Sequence, residues 1–478
     1  LTSGLPAAGP TVGRIGLAVA PSDPDVLYSI YADHPGYFMG IYRTTNGGDS
    51  WSQVNDGALS NMYSSFGWFF GNIRVHPQDA DRVYALGLDT HRPTNGGGSW
   101  ASITNSIHVD QHDLQFNTAD PSFVIAGNDG GIYTSFNGGT AWTKALNLPV
   151  TQFYAITADY QFPERLYGGT QDNSTMRTMT GALDDWEVIL GGDGFYTIVD
   201  PVDNSYVYAE YQWGNFFRST NGGSDFSSAT NGIPGGDRRN WSTPVVMDPS
   251  DPDVLYAATY PRRRRAWGFV GGGPTGGIWR STDGGETWEE VTAGLPSGDI
   301  GRIGFETWAR DPNLVMAIVE AEDGGIFRST DRGQSWTRVN DLNPRPMYYS
   351  QIRLDPNDSE RIYVLGTYLH RSVDGGETFV ELPMEVEYNT GVHVDHHDLW
   401  IDPRDSRHMI LGNDGGLYFT FDGGDNWHFT ANLPIQQLYD VSLDMEDPYR
   451  IYGGLQDNNH YLGPSATRRY HGILNHDW

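Results

Sequence analysis

One stretch, Arg280-Ser281-Thr282-Asp283-Gly284-Gly285-Glu286-Thr287-Trp288, constrains the fold of this chain most, because it is repeated. It reads as the end of one strand, a tight acidic turn and the start of the next strand on a large aromatic. Two successive glycines supply backbone angles that other residues reach only at a cost. The Asp side chain can bond the amides of its own turn, and the Trp can pack beneath the hairpin. The pattern returns at residues 44–51, 94–100, 135–142, 219–226, 329–336, 372–379 and 420–427.

A second marker, usually Asp-Pro, precedes a short apolar strand in each unit. It stands at Asp23-Pro24, His76-Pro77, Asp120-Pro121, Phe162-Pro163, Asp200-Pro201, Asp248-Pro249, Asp311-Pro312, Asp355-Pro356, Asp402-Pro403 and Asp447-Pro448. The mean spacing, about 47 residues with room for four short strands, is that of β-propeller blades. The expected fold class is therefore all-β, with about ten blades, two of which, around Pro163 and Pro448, lack the acidic turn. A longer repeat lies over the short one. His108-Val109-Asp110-Gln111-His112-Asp113-Leu114 returns as His393-Val394-Asp395-His396-His397-Asp398-Leu399. Gly127-Asn128-Asp129-Gly130-Gly131 returns as Gly412-Asn413-Asp414-Gly415-Gly416, and Gln171-Asp172-Asn173 as Gln456-Asp457-Asn458. The offset predicts duplication of a six-blade block, residues 13–300 and an incomplete copy 301–478, within one propeller spanning 1–478. Leu1-Thr2-Ser3-Gly4-Leu5-Pro6 matches the outer-strand tail Val291-Thr292-Ala293-Gly294-Leu295-Pro296, and Asp477-Trp478 matches the strand start Asp185-Trp186. The ends therefore suggest one ten-bladed ring closed within a shared blade; the competing architecture is two seven-bladed propellers, partly present.

Sixty acidic against 30 basic residues give a formal charge of −30, which argues against nucleic-acid or anionic-membrane partners. There is no cysteine, hence no disulfide framework or thiolate chemistry. No apolar run reaches membrane-spanning length, so membrane insertion is not expected.

The turn motif resembles the Asp box, or BNR repeat, of sialidases, xyloglucanases and sortilin-type (VPS10) receptors. The Gly-Gly-x-Gln-Asp-Asn element, with Gly67-Trp68-Phe69-Phe70-Gly71 and Gly191-Gly192-Asp193-Gly194-Phe195, is similar to bacterial BNR-repeat proteins labelled glycosyl hydrolase. The resemblance implies an extracellular or periplasmic protein that binds and cleaves a polysaccharide, or else a non-catalytic propeller assembling with an extracellular protein. In a four-stranded blade the Asp boxes and Asp-Pro turns share one edge, which leaves the other for functional loops. The Asn-Asp-Gly-Gly turns resemble the Asp-x-Gly-Gly turns that carry catalytic aspartates in xyloglucanase-type hydrolases, so Asp129 and Asp414 become acid and base candidates. In a single ring the pair must be local, Asp129 with Asp172 of the adjacent blade and, in the repeat, Asp414 with Asp457. His108, Asp110 and His112 alternate, as do His393, Asp395 and His397, so on extended chain each trio would point one way. Such a trio can hold a metal or can hydrogen-bond neighbouring blade loops; calcium on the acidic turns is the cofactor expected. Trp68, Phe69, Tyr154 and Trp267 are candidate sugar-stacking aromatics. For Trp213 blade-to-blade packing is an equal expectation.

Overall fold

The computed structural model describes residues 3–93, 97–148, 150–236, 239–265, 268–382, 391–433, 435–474 and 477. They form nine four-stranded antiparallel meanders and a tenth of three strands, following one another along the chain, and a two-stranded sheet of Arg262–Arg265 with Gly268–Gly271 inserted in the sixth. Among the described residues there is no α-helix, and none long and apolar enough to cross a membrane. The first sheet is built from Val12–Ala20, Asp23–Asp33, Phe38–Thr44 and Ser52–Gln53; the others repeat that plan. The chain is a β-propeller by this blade-by-blade succession. It divides into two compact units, Leu1–Ile156 with Glu164–Phe195 and Arg264–Phe269, and Thr157–Pro163 with Tyr196–Arg263 and Val270–Trp478. Leu1 and Trp478, on whose meeting the ring-closure expectation rests, lie outside the described residues.

The second strands of the sixth and seventh sheets are continuous apolar runs because both of their faces are covered. All five residues of Val315–Val319 are buried, and Leu255–Thr259 is nearly so. Fourth strands are two to four residues long and largely exposed, as in Ser52–Gln53. Burial therefore happens between sheets. Tyr28, Ile30 and Ile41 of the first sheet pack with Ile73 and Val83 of the second. In the second unit Tyr256 and Ala258 of the sixth sheet pack with Ile303, Val315 and Ala317 of the seventh.

The Asp boxes are the turns between third and fourth strands, and one hydroxyl organises each. Ser281 Oγ donates to Asp283 Oδ1 at 2.8 Å and accepts from the Gly285 amide at 2.9 Å. Asp283 Oδ1 in turn accepts the Thr287 amide. Gly284 and Gly285 sit at φ +66° and +79°, where a side chain strains the backbone. Arg332 takes that first position in the box 329–336 at φ +60°. The same hydroxyl bonds recur at Thr44, Ser135, Ser219, Ser329, Ser372 and Thr420. The box aromatic then hooks the preceding sheet: Trp288, almost fully buried, donates Nε1 to Ala229 O and its amide to Asn231 O. The Trp336 amide likewise donates to Ala293 O, and the Trp51 amide to Ser3 O. Ser3 and Gly4 thus occupy the positions of Ala293 and Gly294, as the sequence match implied.

Replacing Ser281 with Ala leaves the buried Gly285 amide without an acceptor. It is expected to cost about 1–3 kcal/mol in denaturant unfolding, with an unchanged fold by circular dichroism.

Candidate functional site

The turns between second and third strands, with the segments that enter each sheet, occupy the edge opposite the boxes. In the third sheet, Val124–Asn128 turns into Gly131–Ser135 through Asn128-Asp129-Gly130-Gly131. Asn128 Nδ2 donates to His108 O at 3.0 Å, and its Oδ1 accepts the Gly130 amide at 2.9 Å. A Cβ on Gly130 would stand 2.4 Å from His108 Cβ, so only glycine lets the His108 segment lie on the turn. This fixes Asp129. In the next sheet Leu166–Thr170 turns into Thr175–Thr178 through Gln171-Asp172-Asn173, with Asp172 at φ +58°. Asn173 Nδ2 donates to Asp129 O at 2.8 Å and so joins the two turns.

The alternation expected for His108, Asp110 and His112 is not realised. His108 and Asp110 precede the strand Gln111–Phe116, and Asp110 sits at φ +64°, which breaks the extended geometry at the middle residue. His108 lies with Nδ1 3.0 Å from Val109 O and Nε2 3.0 Å from Asp172 O. His112 Nε2 meets Asp129 Oδ1 at 2.5 Å. Each imidazole is engaged elsewhere, so the trio does not converge as a ligand set. What converges instead is Asp110, Asp129 and Asp172, whose half-buried carboxylates offer oxygens all within 4.8 Å of one another. Three carboxylates are the oxygen donors that a hard divalent cation such as calcium takes. Without a cation they repel, and the repulsion is relieved by protons. Burial, then the Asp129 charge, pushes Asp110 up to about 6. Burial, then Asp193 and Asp129, pushes Asp172 up to about 7. The hydrogen bond to Asp129 raises His112 against the opposing effect of burial. A group that carries a proton near neutrality thus stands beside a carboxylate held by a histidine, an acid–base arrangement.

The repeat in the ninth sheet has the same frame. Asn413 Nδ2 donates to His393 O at 2.8 Å, a Cβ on Gly415 would meet His393 Cβ at 2.4 Å, and His397 Nε2 meets Asp414 Oδ1 at 2.6 Å. His393 Nε2 faces Asp457 O at 3.3 Å, and Asp395 again has φ +64°. Asp395 differs from Asp110 in its partners. Tyr349 Oη donates to it and Arg345 stands 3.8 Å away. In the first copy the corresponding residues before Arg74 are Phe69 and Phe70, whose rings lie 5.5 and 5.8 Å from His112. Tyr348 and Tyr349 hold the same relation to His397, at 6.2 and 6.1 Å. The hydroxyl that distinguishes the copies therefore sits at one aligned position.

Phe69 and its neighbour Trp68, centroids 5.8 Å apart, are both half-exposed beside His112. Tyr154 stacks on Phe195 at 4.7 Å and remains 44% exposed. Trp267 lies outside the described residues. Sequence reading missed Asp193, Arg345 and Tyr349. Asp193 stood in the quoted Gly191-Gly192-Asp193-Gly194-Phe195 element, and Tyr349 could have been found by aligning the approaches to Arg74 and Arg353.

A model of the BNR/Asp-box repeat matches residues 279–290. A xyloglucanase of Paenibacillus sp is 26% identical over 307 residues, 57% of this chain; the match spans 23% of that enzyme's length. Among solved structures, a Niastella koreensis GH74 enzyme aligns over 95% of this chain and 83% of its own, at 15% identity and a TM-score of 0.29. YCF48 from Cyanidioschyzon merolae aligns over 66% of this chain and 95% of its own, at 15% identity and a TM-score of 0.39.

A carboxyl whose folded pKa exceeds its unfolded value binds its proton more tightly in the folded state. Asp110 and Asp172 therefore stabilise the fold less as pH rises from about 4 to about 7. His112, raised by Asp129, acts in the same direction, since its pairing is lost as pH rises through its folded pKa. Thermal melts are expected to shift downward between pH 5 and pH 8, and Asp172→Asn to flatten that slope. An unaltered slope in the variant would exclude proton storage on Asp172.

Proposed function

We propose that this chain, a β-propeller of BNR/Asp-box repeats resembling the xyloglucanase-type hydrolases, hydrolyses a polysaccharide at the carboxylate cluster of its third and fourth sheets. The observation that carries the reading is the close group of Asp110, Asp129 and Asp172, two of whose carboxyls hold protons at or near pH 6–7. Asp172 is the proton donor: as the bond from the anomeric carbon to the glycosidic oxygen breaks, that oxygen takes the Asp172 proton. Asp129 is the carboxylate that faces the anomeric carbon, with His112 fixing its orientation. The oxygens lie within 4.8 Å of one another, short of the roughly 6.5–9.5 Å of inverting glycosidases and nearer the about 5–5.5 Å of retaining ones. Asp129 then forms a glycosyl ester, which water, deprotonated by Asp172, hydrolyses to return both groups to their starting states. Trp68 and Phe69 supply apolar faces for sugar rings beside His112.

In the repeat, Tyr349 and Arg345 engage Asp395 by hydrogen bond and opposite charge. This copy is read as a holding site for the same polymer. On this reading the protein works outside the cell, because the substrate is too large to enter one.

Asp172→Asn and Asp129→Asn are each expected to lower the release of reducing ends from xyloglucan about 10²–10⁴-fold with folding intact. In the wild type the rate should decline above about pH 7, where Asp172 loses its proton. Full activity in both variants would remove the cluster from catalysis. For the repeat, Asp414→Asn should raise KM several-fold. A collapse of kcat at unchanged KM would instead make Asp414 catalytic.

A further inference from the structure

In the fifth sheet, Val207–Tyr211 turns into Asn215–Ser219 through Gln212-Trp213-Gly214. Trp213 and Gly214 have φ +70° and +67°. Tyr211 pairs with Asn215, so the turn is three residues long, and the residues that adopt positive angles without strain are Gly, Asn and Asp. For a bulky tryptophan the left-handed region is an outlier that persists only where its surroundings impose it.

Those surroundings are present in the segment that leads to the sixth sheet. The Trp213 amide donates to Trp241 O at 3.1 Å, and Arg239 Nη1 reaches Trp213 O at 3.5 Å. Any Cβ on Gly214 would stand 2.6 Å from Thr243 Oγ1. The Thr243 amide is in turn anchored on Glu210 Oε1 at 2.6 Å, and Glu210 is wholly buried. Trp241 meets the Trp213 ring edge to face at 4.6 Å and fixes its orientation. The Trp213 side chain nevertheless remains 51% exposed, so core burial does not account for a strained tryptophan here.

We propose that Trp213 is the platform of a carbohydrate-binding subsite, stacking on the C–H face of a pyranose ring in a polysaccharide chain. The inference rests on the polysaccharide reading above and extends it to the second compact unit. An indole already immobilised by its backbone and by Trp241 loses little freedom when a sugar stacks on it, and a preorganised aromatic face suits a ring that is apolar in the middle and polar at its rim. The turn sits on the edge opposite the Asp box of its own sheet, where the Asp129 and Asp172 turns also sit in theirs.

The test is affinity electrophoresis on xyloglucan and on mixed-linkage β-glucan, with melting temperature measured in parallel, for the wild type, Trp213→Asn and Trp213→Ala. Asparagine accepts the left-handed angle, so Trp213→Asn is expected to melt no lower than the wild type yet to bind at least fivefold more weakly. Trp213→Ala should bind equally weakly. A variant that melts lower but is retarded like the wild type would show that Trp213 serves packing alone and would overturn the subsite. If neither glucan retards the wild type, both the subsite and the polysaccharide reading fall. Retardation of Asp172→Asn without cleavage, together with loss of retardation in Trp213→Asn, separates binding by this platform from hydrolysis.

Discussion

In the sheets of this propeller that carry an Asp box, the packing depends on one hydroxyl group per box. In each fully described box, a serine or threonine oxygen accepts the amide of the second turn position and donates to the turn's Asp or Asn. The turn so closed aims its aromatic at the sheet before it, where Trp288 and Trp336 bond backbone carbonyls. A four-stranded meander cannot bury both of its faces alone, and the box fastens each sheet to a neighbour that covers it. The fourth and tenth sheets have no such turn.

Because the fastening is confined to one edge of each sheet, the opposite edge is free to vary. Its turns are held by short side chains acting on backbone, as Asn128 on His108 and Asn173 on Asp129. Such bonds fix a carboxylate without neutralising it. The result in the third and fourth sheets is a set of acidic side chains closer together than their charges would choose, and burial, then that crowding, pushes Asp110 and Asp172 up.

The parts legible in the sequence were those governed by chemistry within a few residues. The boxes, the Asp-Pro turns and the order of the sheets are all local, and they were read from spacing. The proximity of Asp129 to Asp172 followed from the adjacency of their blades. The His-x-Asp-x-His trios misled because alternation presumes extended chain, and nothing in the letters marks Asp110 or Asp395 as left-handed. The role of the box hydroxyl escaped notice for a different reason, since serine and threonine are also ordinary turn residues. Tyr349 and Arg345 reach Asp395 from the preceding sheet, a contact no local pattern encodes.

The glycines beneath His108 and His393 have a consequence for how such a site changes over time. With no room for a Cβ at Gly130 or Gly415, the turn that carries each aspartate is closed to substitution, and the two duplicates keep an identical skeleton. Divergence must then enter from outside, through residues that touch the carboxylates without building the turn. One oxygen atom, present on Tyr349 and missing from Phe70, alters the partners of the central aspartate and leaves the skeleton alone. A propeller of this kind can therefore change the partners of one copy's central aspartate from the neighbouring blade and leave the skeleton of the other copy as it was.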